Sequence, residues 1–224
     1  MILRDEEQAR AYVADFVDAA GMERLDRLEA LLREENERQN LIAAATLQTV
    51  WLRHVADSAQ LLSYVPRETE DPGAWLDLGT GAGFPGLVIA AMRPHWDVRL
   101  IESRRKRTDW LERARIDLGL GRCQVVASRL EMVATVEAGV ISARAFAPMP
   151  KLIDLSARFS TNRTLWLLPK GRSAAQDLAS LPESTRRLFH VEQSCTDTEA
   201  GIIVGRLDLA GHRGPKQTPG SKRG

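Results

Sequence analysis

Apolar residues recur at three-to-four spacing through roughly the first 65 positions and predict a helical layer there. Ala9, Tyr12, Val13, Phe16, Val17 and Ala20 form one stripe after Asp5, which suits an N-cap, and Gly21 predicts an interruption. Leu25, Leu28, Leu31 and Leu32 mark a second helix, with Arg33, Glu34, Glu35, Glu37 and Arg38 as its solvated face and exit. A third is expected from Thr46 to Val65 on Leu47, Val50, Trp51, Val55, Leu61 and Leu62, ended by Pro66.

From Gly73 the texture changes to short apolar runs alternating with helix-period segments, the pattern of β-α units around a mainly parallel sheet. Strands are predicted at 74–78, 98–101, 123–127, 139–143, 164–168, 189–193 and 201–207. The intervening helices begin near Pro85, Ser103, Pro150 and Arg172; the second of these buries Trp110, Leu111, Ala114 and Leu118 and stops at Gly119. The last two strands leave no room for a helix between them, so they are expected to form an antiparallel edge pair. The domain plan is a helical layer over 1–65, an α/β unit over 66–210, and a basic tail over 211–224 with nothing apolar to bury.

Composition adds exclusions. The chain is 44% hydrophobic, 27% charged and 5% aromatic with a net charge of +1, an ordinary globular balance. Cys123 and Cys195 are far apart and match no ligand spacing, so neither a disulfide framework nor a metal site is expected, and a reducing, cytoplasmic setting is. The start turns acidic at once, and no run approaches the roughly 18 apolar residues a membrane span needs. With so little net charge, any contact with nucleic acid must come from local basic patches.

Residues 75–86 carry the most chemistry: Trp-Leu-Asp-Leu-Gly-Thr-Gly-Ala-Gly-Phe-Pro-Gly puts an acid at a strand end, three alternate glycines, then a helix opened by proline. Pro85 suits a first helical position, where its missing N–H loses no bond. The glycines let backbone approach a ligand that any side chain would block. Two ligand classes use such a loop. Gly81, Gly83 and Gly86 satisfy G-x-G-x-x-G, with Glu102 following at about the spacing a dinucleotide site expects. Asp77, Gly79, Gly81 and Gly83 satisfy D-x-G-x-G-x-G, which suits S-adenosylmethionine, cationic at its sulfonium and ammonium. The acid decides between them. Beside a pyrophosphate it would cost about 4 kcal/mol per unit charge pair at roughly 4 Å and an effective dielectric of about 20, whereas it favours a cation. A turn with no ligand would leave the alternate glycines unexplained, each costing about 0.5–1 kcal/mol of chain entropy. Glu102, ending the second strand, can accept from both ribose hydroxyls or serve the next helix N-terminus. Leu130 and Glu131 follow the third strand, where an adenine would lie, although Glu131 reads equally as a helix cap.

Taken in order, Asn40-Leu41, the block Arg53-His54-Val55-Ala56-Asp57-Ser58, the 77–86 loop, Glu102-Ser103 with Lys106-Arg107, Ser142-Ala143-Arg144-Ala145-Phe146-Ala147 and Lys170-Gly171 resemble the ribosomal RNA small-subunit methyltransferase G family, GidB. The likeness runs from about Asn40 to Leu207. It implies a class I S-adenosylmethionine-dependent methyltransferase fold, Rossmann-like with a seven-stranded mostly parallel sheet, that methylates N7 of one guanine in 16S rRNA. Carried over by position, donor contacts fall on Gly79, Phe84, Leu130, Glu131 and Arg144, with Asp77, Gly81 and Glu102 in the usual class I roles. Two departures stand out. Many members carry a basic Y-P-R-R-like segment after the last strand, where this chain has Gly211-His212-Arg213-Gly214-Pro215 and scattered Lys and Arg; and the first 39 residues match only as amphipathic helices.

N7 of guanine has a free lone pair and no proton, so its methylation is an in-line displacement that needs no general base. Positioning alone can supply effective molarities of about 10⁵ M or more. The segment after the fourth strand fits this: it has no N-P-P-Y pattern for an exocyclic amine and no cysteine for covalent attack on a cytosine. Phe146 there reads either as a stacking surface for a base or as core. Arg144 reads as paired with a carboxylate or phosphate, and the resemblance gives it the donor's carboxylate or the target nucleotide. Lys170 reads as a phosphate contact or a plain exposed lysine. Arg104 to Arg107 open a helix, where each positive charge costs about 0.3–1 kcal/mol against the macrodipole unless an anion such as RNA phosphate relieves it; Arg105 can instead pair with Asp109. Arg53 and Asp57 read as a surface pair, and His54 as a buried histidine fixing the helical layer. Candidate RNA contacts are thus Arg53, His54, Lys106, Phe146 and Lys170. The expected partner is 16S rRNA or the small ribosomal subunit, acted on by a monomer without metal or membrane. Rival readings are a small-molecule methyltransferase on the same scaffold, a nicotinamide-dependent oxidoreductase and a non-catalytic RNA-binding module.

Overall fold

The computed structural model describes residues 1–66 and 69–207, so the predicted tail lies outside the described residues. Seven strands, β1 (Ala74–Leu78), β2 (Val98–Glu102), β3 (Cys123–Ala127), β4 (Ala138–Ser142), β5 (Leu165–Lys170), β6 (Phe189–Gln193) and β7 (Gly201–Gly205), form one sheet in the order β3-β2-β1-β4-β5-β7-β6. The first five run parallel, and β7 is antiparallel to both β5 and β6. All seven predicted strands are present, shifted by a residue or two at their ends. Strand order reverses between β1 and β4, and open α/β sheets bind ligands in the crevice beyond such a reversal.

Strand alternation sorts the core into two layers. Trp75, Leu100, Val140 and Leu167 face one side of the sheet, where they join α4 (Gly86–Met92), α5 (Arg105–Asp117) and the N-terminal helices in one continuous apolar cluster. Leu76, Leu78, Ile141 and Trp166 face the other side, packed on α6 (Met149–Ser156), α7 (Ala174–Ala179) and the region of α8 (Glu183–Arg186). Gly119, at φ +65°, ends α5 as expected.

The N-terminal layer departs from the periodicity in three ways. Gly21 does not interrupt a helix: α1 (Glu6–Ala14), capped by Asp5, ends earlier, and α2 (Ala19–Asn36) runs through Gly21, whose N–H donates to the capping carboxylate of Asp18 at 2.8 Å. Local capping outweighs glycine's weak helix propensity. Glu35 is not solvated but buried, taking Arg113 at 2.7 Å and Gln39 at 2.7 Å. Finally, Thr46 to Val65 is not one α-helix. A 3₁₀ stretch (Ala44–Thr49), a π-helix (Trp51–Ala56), the single turn α3 (Asp57–Ala59) and another 3₁₀ stretch (Gln60–Tyr64) follow one another. Side chains take over backbone partners here: Glu6 accepts from Trp51 N at 3.0 Å and Leu52 N at 2.8 Å, while the Ser58 and Ser63 hydroxyls donate to the His54 and Gln60 carbonyls. Pro85 is also displaced by one position, standing at the cap of α4 rather than inside it.

Candidate active site

The loop between β1 and α4 is held from below by the sheet. Gly79 N and Thr80 N donate to Ile101 O at 2.8 and 3.2 Å, and the Trp110 indole N–H of α5 donates to Ala82 O at 3.0 Å. Gly79 and Gly81 adopt φ +64° and +59°, the left-handed region that side chains resist. A Cβ on Gly79 would stand 2.3 Å from Phe146 Cδ2, whereas one on Gly81 would meet only Gly79 O at 3.8 Å, on the open side.

Above this loop lies a cavity of about 590 Å³, within the range of small-molecule sites. Gly79, Gly81, Phe84, Glu102, Leu130, Glu131, Arg144 and Phe146 all line it, so the structure brings together nearly every residue expected at the donor. Glu102 is buried yet borders the cavity; one oxygen accepts from Gly81 N at 3.1 Å and the other from Ser103 N and Arg104 N at 2.8 Å each. Three backbone donors thus hold the carboxylate in place, fill Oε1 and leave one lone pair of Oε2 for a hydroxyl. Leu130 and Glu131 lie in a 3₁₀ turn (Leu130–Met132) without a side-chain cap, so Glu131 is not the cap that its position allows. Phe146 is half-buried, bordering both the cavity and the lower core.

Asp77 corrects the sequence reading. Its side chain projects away from the cavity and is fully buried: Oδ2 accepts from Gly86 N at 2.9 Å, and Oδ1 from the Ser142 hydroxyl at 2.8 Å, itself an acceptor for the Trp75 indole N–H. Burial pushes its carboxyl up against the pull of these bonds. It ties the loop and α4 to β4, and the acids that border the cavity are Glu102 and Glu131. Asp77 is thus not among the residues that border the cavity.

A second, smaller cavity of about 200 Å³ shares Arg144 with the first and is bordered by Thr46, Arg53, His54, Asp57, Lys170 and Thr196 among others. Arg53 does not pair with Asp57; it reaches Asp197 at 3.1 Å. Asp57 takes Arg144 at 3.5 Å and accepts from the Thr196 hydroxyl at 3.0 Å and Gln60 Nε2 at 2.9 Å. The intervening elements bring Arg144 between β4 and the π-helix, and a partner from a distant segment replaces the neighbour at helical spacing. His54 is buried, stacked on Phe84 with centroids 4.9 Å apart, and contacts Arg144 and Thr46 through its two nitrogens. Burial, aided by Arg144 and Arg53, pushes its pKa down to about 3. Lys170 is not a plain exposed lysine: its side chain is 9% exposed and meets Asp177 at 3.5 Å. Lys106 borders neither cavity and stands exposed on α5, where Arg105 pairs with Asp109 at 3.8 Å.

The comparisons with known proteins agree with this architecture. A family model described as rRNA small subunit methyltransferase G, GidB, matches residues 21–201. This chain belongs to that family. Ribosomal RNA small subunit methyltransferase G of Erythrobacter litoralis is 60% identical over 92% of this chain and 98% of its own length. The protein of the same name from Novosphingobium aromaticivorans is 57% identical over 94% and 92%. Among solved structures, a mutant of MtNAS in complex with S-adenosylmethionine aligns at a TM-score of 0.55 with 11% identity, covering 91% of this chain and 78% of that one. A precorrin methyltransferase from Geobacter metallireducens aligns at 0.50 with 13% identity, covering 75% and 91%. The fold of this GidB-family chain is the class I methyltransferase fold.

Several site residues escaped sequence reasoning. Thr80 lines the main cavity with its hydroxyl buried beside the Asp77 carboxylate, whose charged form it favours; its place between two of the glycines was the available signal. Asp57 stands in the block from Arg53 to Ser58, where helical spacing suggests Arg53 as its partner, but it pairs with Arg144. Thr196 and Asp197 precede β7 and carry no local signature, since only the antiparallel return of the chain brings them to Asp57 and Arg53.

Proposed function

We propose that this chain transfers a methyl group from S-adenosylmethionine to N7 of a guanine in 16S rRNA, acting in the cytoplasm on the small ribosomal subunit or its RNA. The observation that carries the reading is the main cavity at the sheet's switch point, in a chain of the GidB family. The residues present fit the donor. Gly81 leaves its open side to a ligand, and Glu102 Oε2 holds an oriented acceptor direction for a hydroxyl. Leu130 offers an apolar surface for a purine, and Glu131 and Arg144 border the cavity with opposite charge.

When bound, the donor supplies an electrophilic methyl on a cationic sulfur. The chain's own task is alignment. Gly79, Gly81, Phe84 and Glu102 fix one partner, while the second cavity, with Arg53, His54 and Lys170 on its walls, receives the other at the shared Arg144. No side chain is asked to take a proton, because N7 releases none, and His54 is held neutral by its surroundings. The reaction is assigned to a monomer. The basic stretch Arg104–Arg107 beside Glu102, including Lys106, is assigned to RNA phosphate.

The test is incubation with methyl-labelled donor and unmodified small subunits, followed by chemical strand scission at N7-methylguanine. Label at one guanine of 16S rRNA is expected. Label on a small metabolite, or protection from unfolding by a nicotinamide coenzyme and not by S-adenosylhomocysteine, would overturn the reading.

A further inference from the structure

The hydrogen bonds around His54 run in one direction. Arg144 Nη2 lies 3.2 Å from Nδ1, and a guanidinium nitrogen can only donate, so Nδ1 is the acceptor. A neutral imidazole then carries its one proton on Nε2, which donates to Thr46 Oγ1 at 3.0 Å. The Thr46 hydroxyl in turn donates a hydrogen bond to Ala43 O at 2.8 Å, and the chain ends on a backbone carbonyl. The buried ring stacks on Phe84, with centroids 4.9 Å apart, which holds its plane. Arg144 lies over the same Phe84 ring, 5.2 Å from its centroid, with Asp57 as its remaining anchor at a loose 3.5 Å.

We propose that His54 is a positioning residue: as the Nε2–H tautomer it accepts from Arg144 through Nδ1 and fixes the guanidinium on the wall shared by the two cavities. The inference rests on the reading that Arg144 meets the donor or the target base, and it names what sets the orientation of that arginine. Without an acceptor at Nδ1, the arginine keeps one long ion pair and a ring face, neither of which fixes the plane of its fork. An imidazole protonated on Nδ1 would oppose a donor to a donor. Burial and the two neighbouring arginines disfavour the charged ring, in keeping with this arrangement.

Two variants and one spectrum test it. His54→Phe keeps a ring against Phe84 and removes the acceptor, whereas His54→Asn places a carbonyl oxygen near the former Nδ1. The Phe variant is expected to lose methyl transfer by about tenfold to a hundredfold in kcat/KM, as loss of a charge-assisted hydrogen bond predicts, with the Asn variant recovering most of that loss. Wild-type kinetics in His54→Phe, or equal losses in both variants when thermal unfolding finds each folded, would overturn the proposal. Nitrogen NMR of the histidines at neutral pH, with His54 assigned by its loss in a variant, is expected to show a bare Nδ1 and a protonated Nε2. An Nδ1–H tautomer or an imidazolium would overturn it as well. The spectrum needs no RNA, so it decides the inference even if wild-type protein labels no rRNA, an outcome that would sink the proposed function alone.

Discussion

Thr80 Oγ1 is a buried hydroxyl beside both an open cavity and the Asp77 carboxylate, whose charged form it favours. Thr80→Val removes that support, so stability is expected to fall by about 1 kcal/mol, while affinity for S-adenosylhomocysteine falls roughly threefold to tenfold by calorimetry. Unchanged affinity would mean that the hydroxyl meets no donor atom. His54 gives a pH signature. Its folded pKa, about 3, lies below its ordinary 6.5, so it contributes stability at neutral pH that is lost as pH falls from 6.5 toward 3. Between pH 7 and 5 the wild type is expected to lose about 2 kcal/mol more than His54→Asn in urea unfolding; equal losses would show that the ring titrates normally. Residue identity was readable in the sequence more often than residue direction. The glycines, Glu102 and Arg144 were found by spacing and resemblance, but Asp77 was aimed at the ligand when strand alternation and α4 turn it inward. Which way a strand-end carboxylate points depends on the helix packed beneath it, and no local pattern records that.

At the level of elements, the strands and the α-helices after them were legible because each carries a clear period and an end signal. The stretch from Ala44 to Tyr64 was not, since its 3₁₀ and π turns are set by side chains from elsewhere, such as the Glu6 carboxylate at Trp51 and Leu52. The same stretch carries His54 and Asp57, so the least predictable element bears much of the second cavity. The glycine loop allows a graded test. Gly81→Ala meets open space and suffers only its positive φ, expected to cost about 1–2 kcal/mol. Gly79→Ala adds a clash with the Phe146 ring and is expected to cost more, and to disturb the cavity wall as well. Denaturant unfolding of both variants checks the order; the reverse order would mean that Phe146 swings aside freely.

Across the whole molecule, the helical layer and one face of the sheet share a core: Leu25, Leu28, Leu32, Val50 and Trp51 join the same cluster as Trp75, Leu87 and Leu100. Arg24 donates to Ala91 O at 2.7 Å and Arg27 grips Asp117, tying α2 to α4 and α5. Unfolding is therefore expected to be a single transition, with far-ultraviolet dichroism and near-ultraviolet signals coinciding, and deletion of residues 1–40 is expected to leave no soluble folded remainder. Two separated transitions would instead mark the layer as an independent unit. Trp110 sits where these levels meet, buried on α5 with its indole tied to the carbonyl of Ala82. A guest in the cavity that Ala82 borders is expected to alter the surroundings of this fluorophore. Emission titrations of wild type against Trp110→Phe would follow loading directly, with no dye or radioactive tracer.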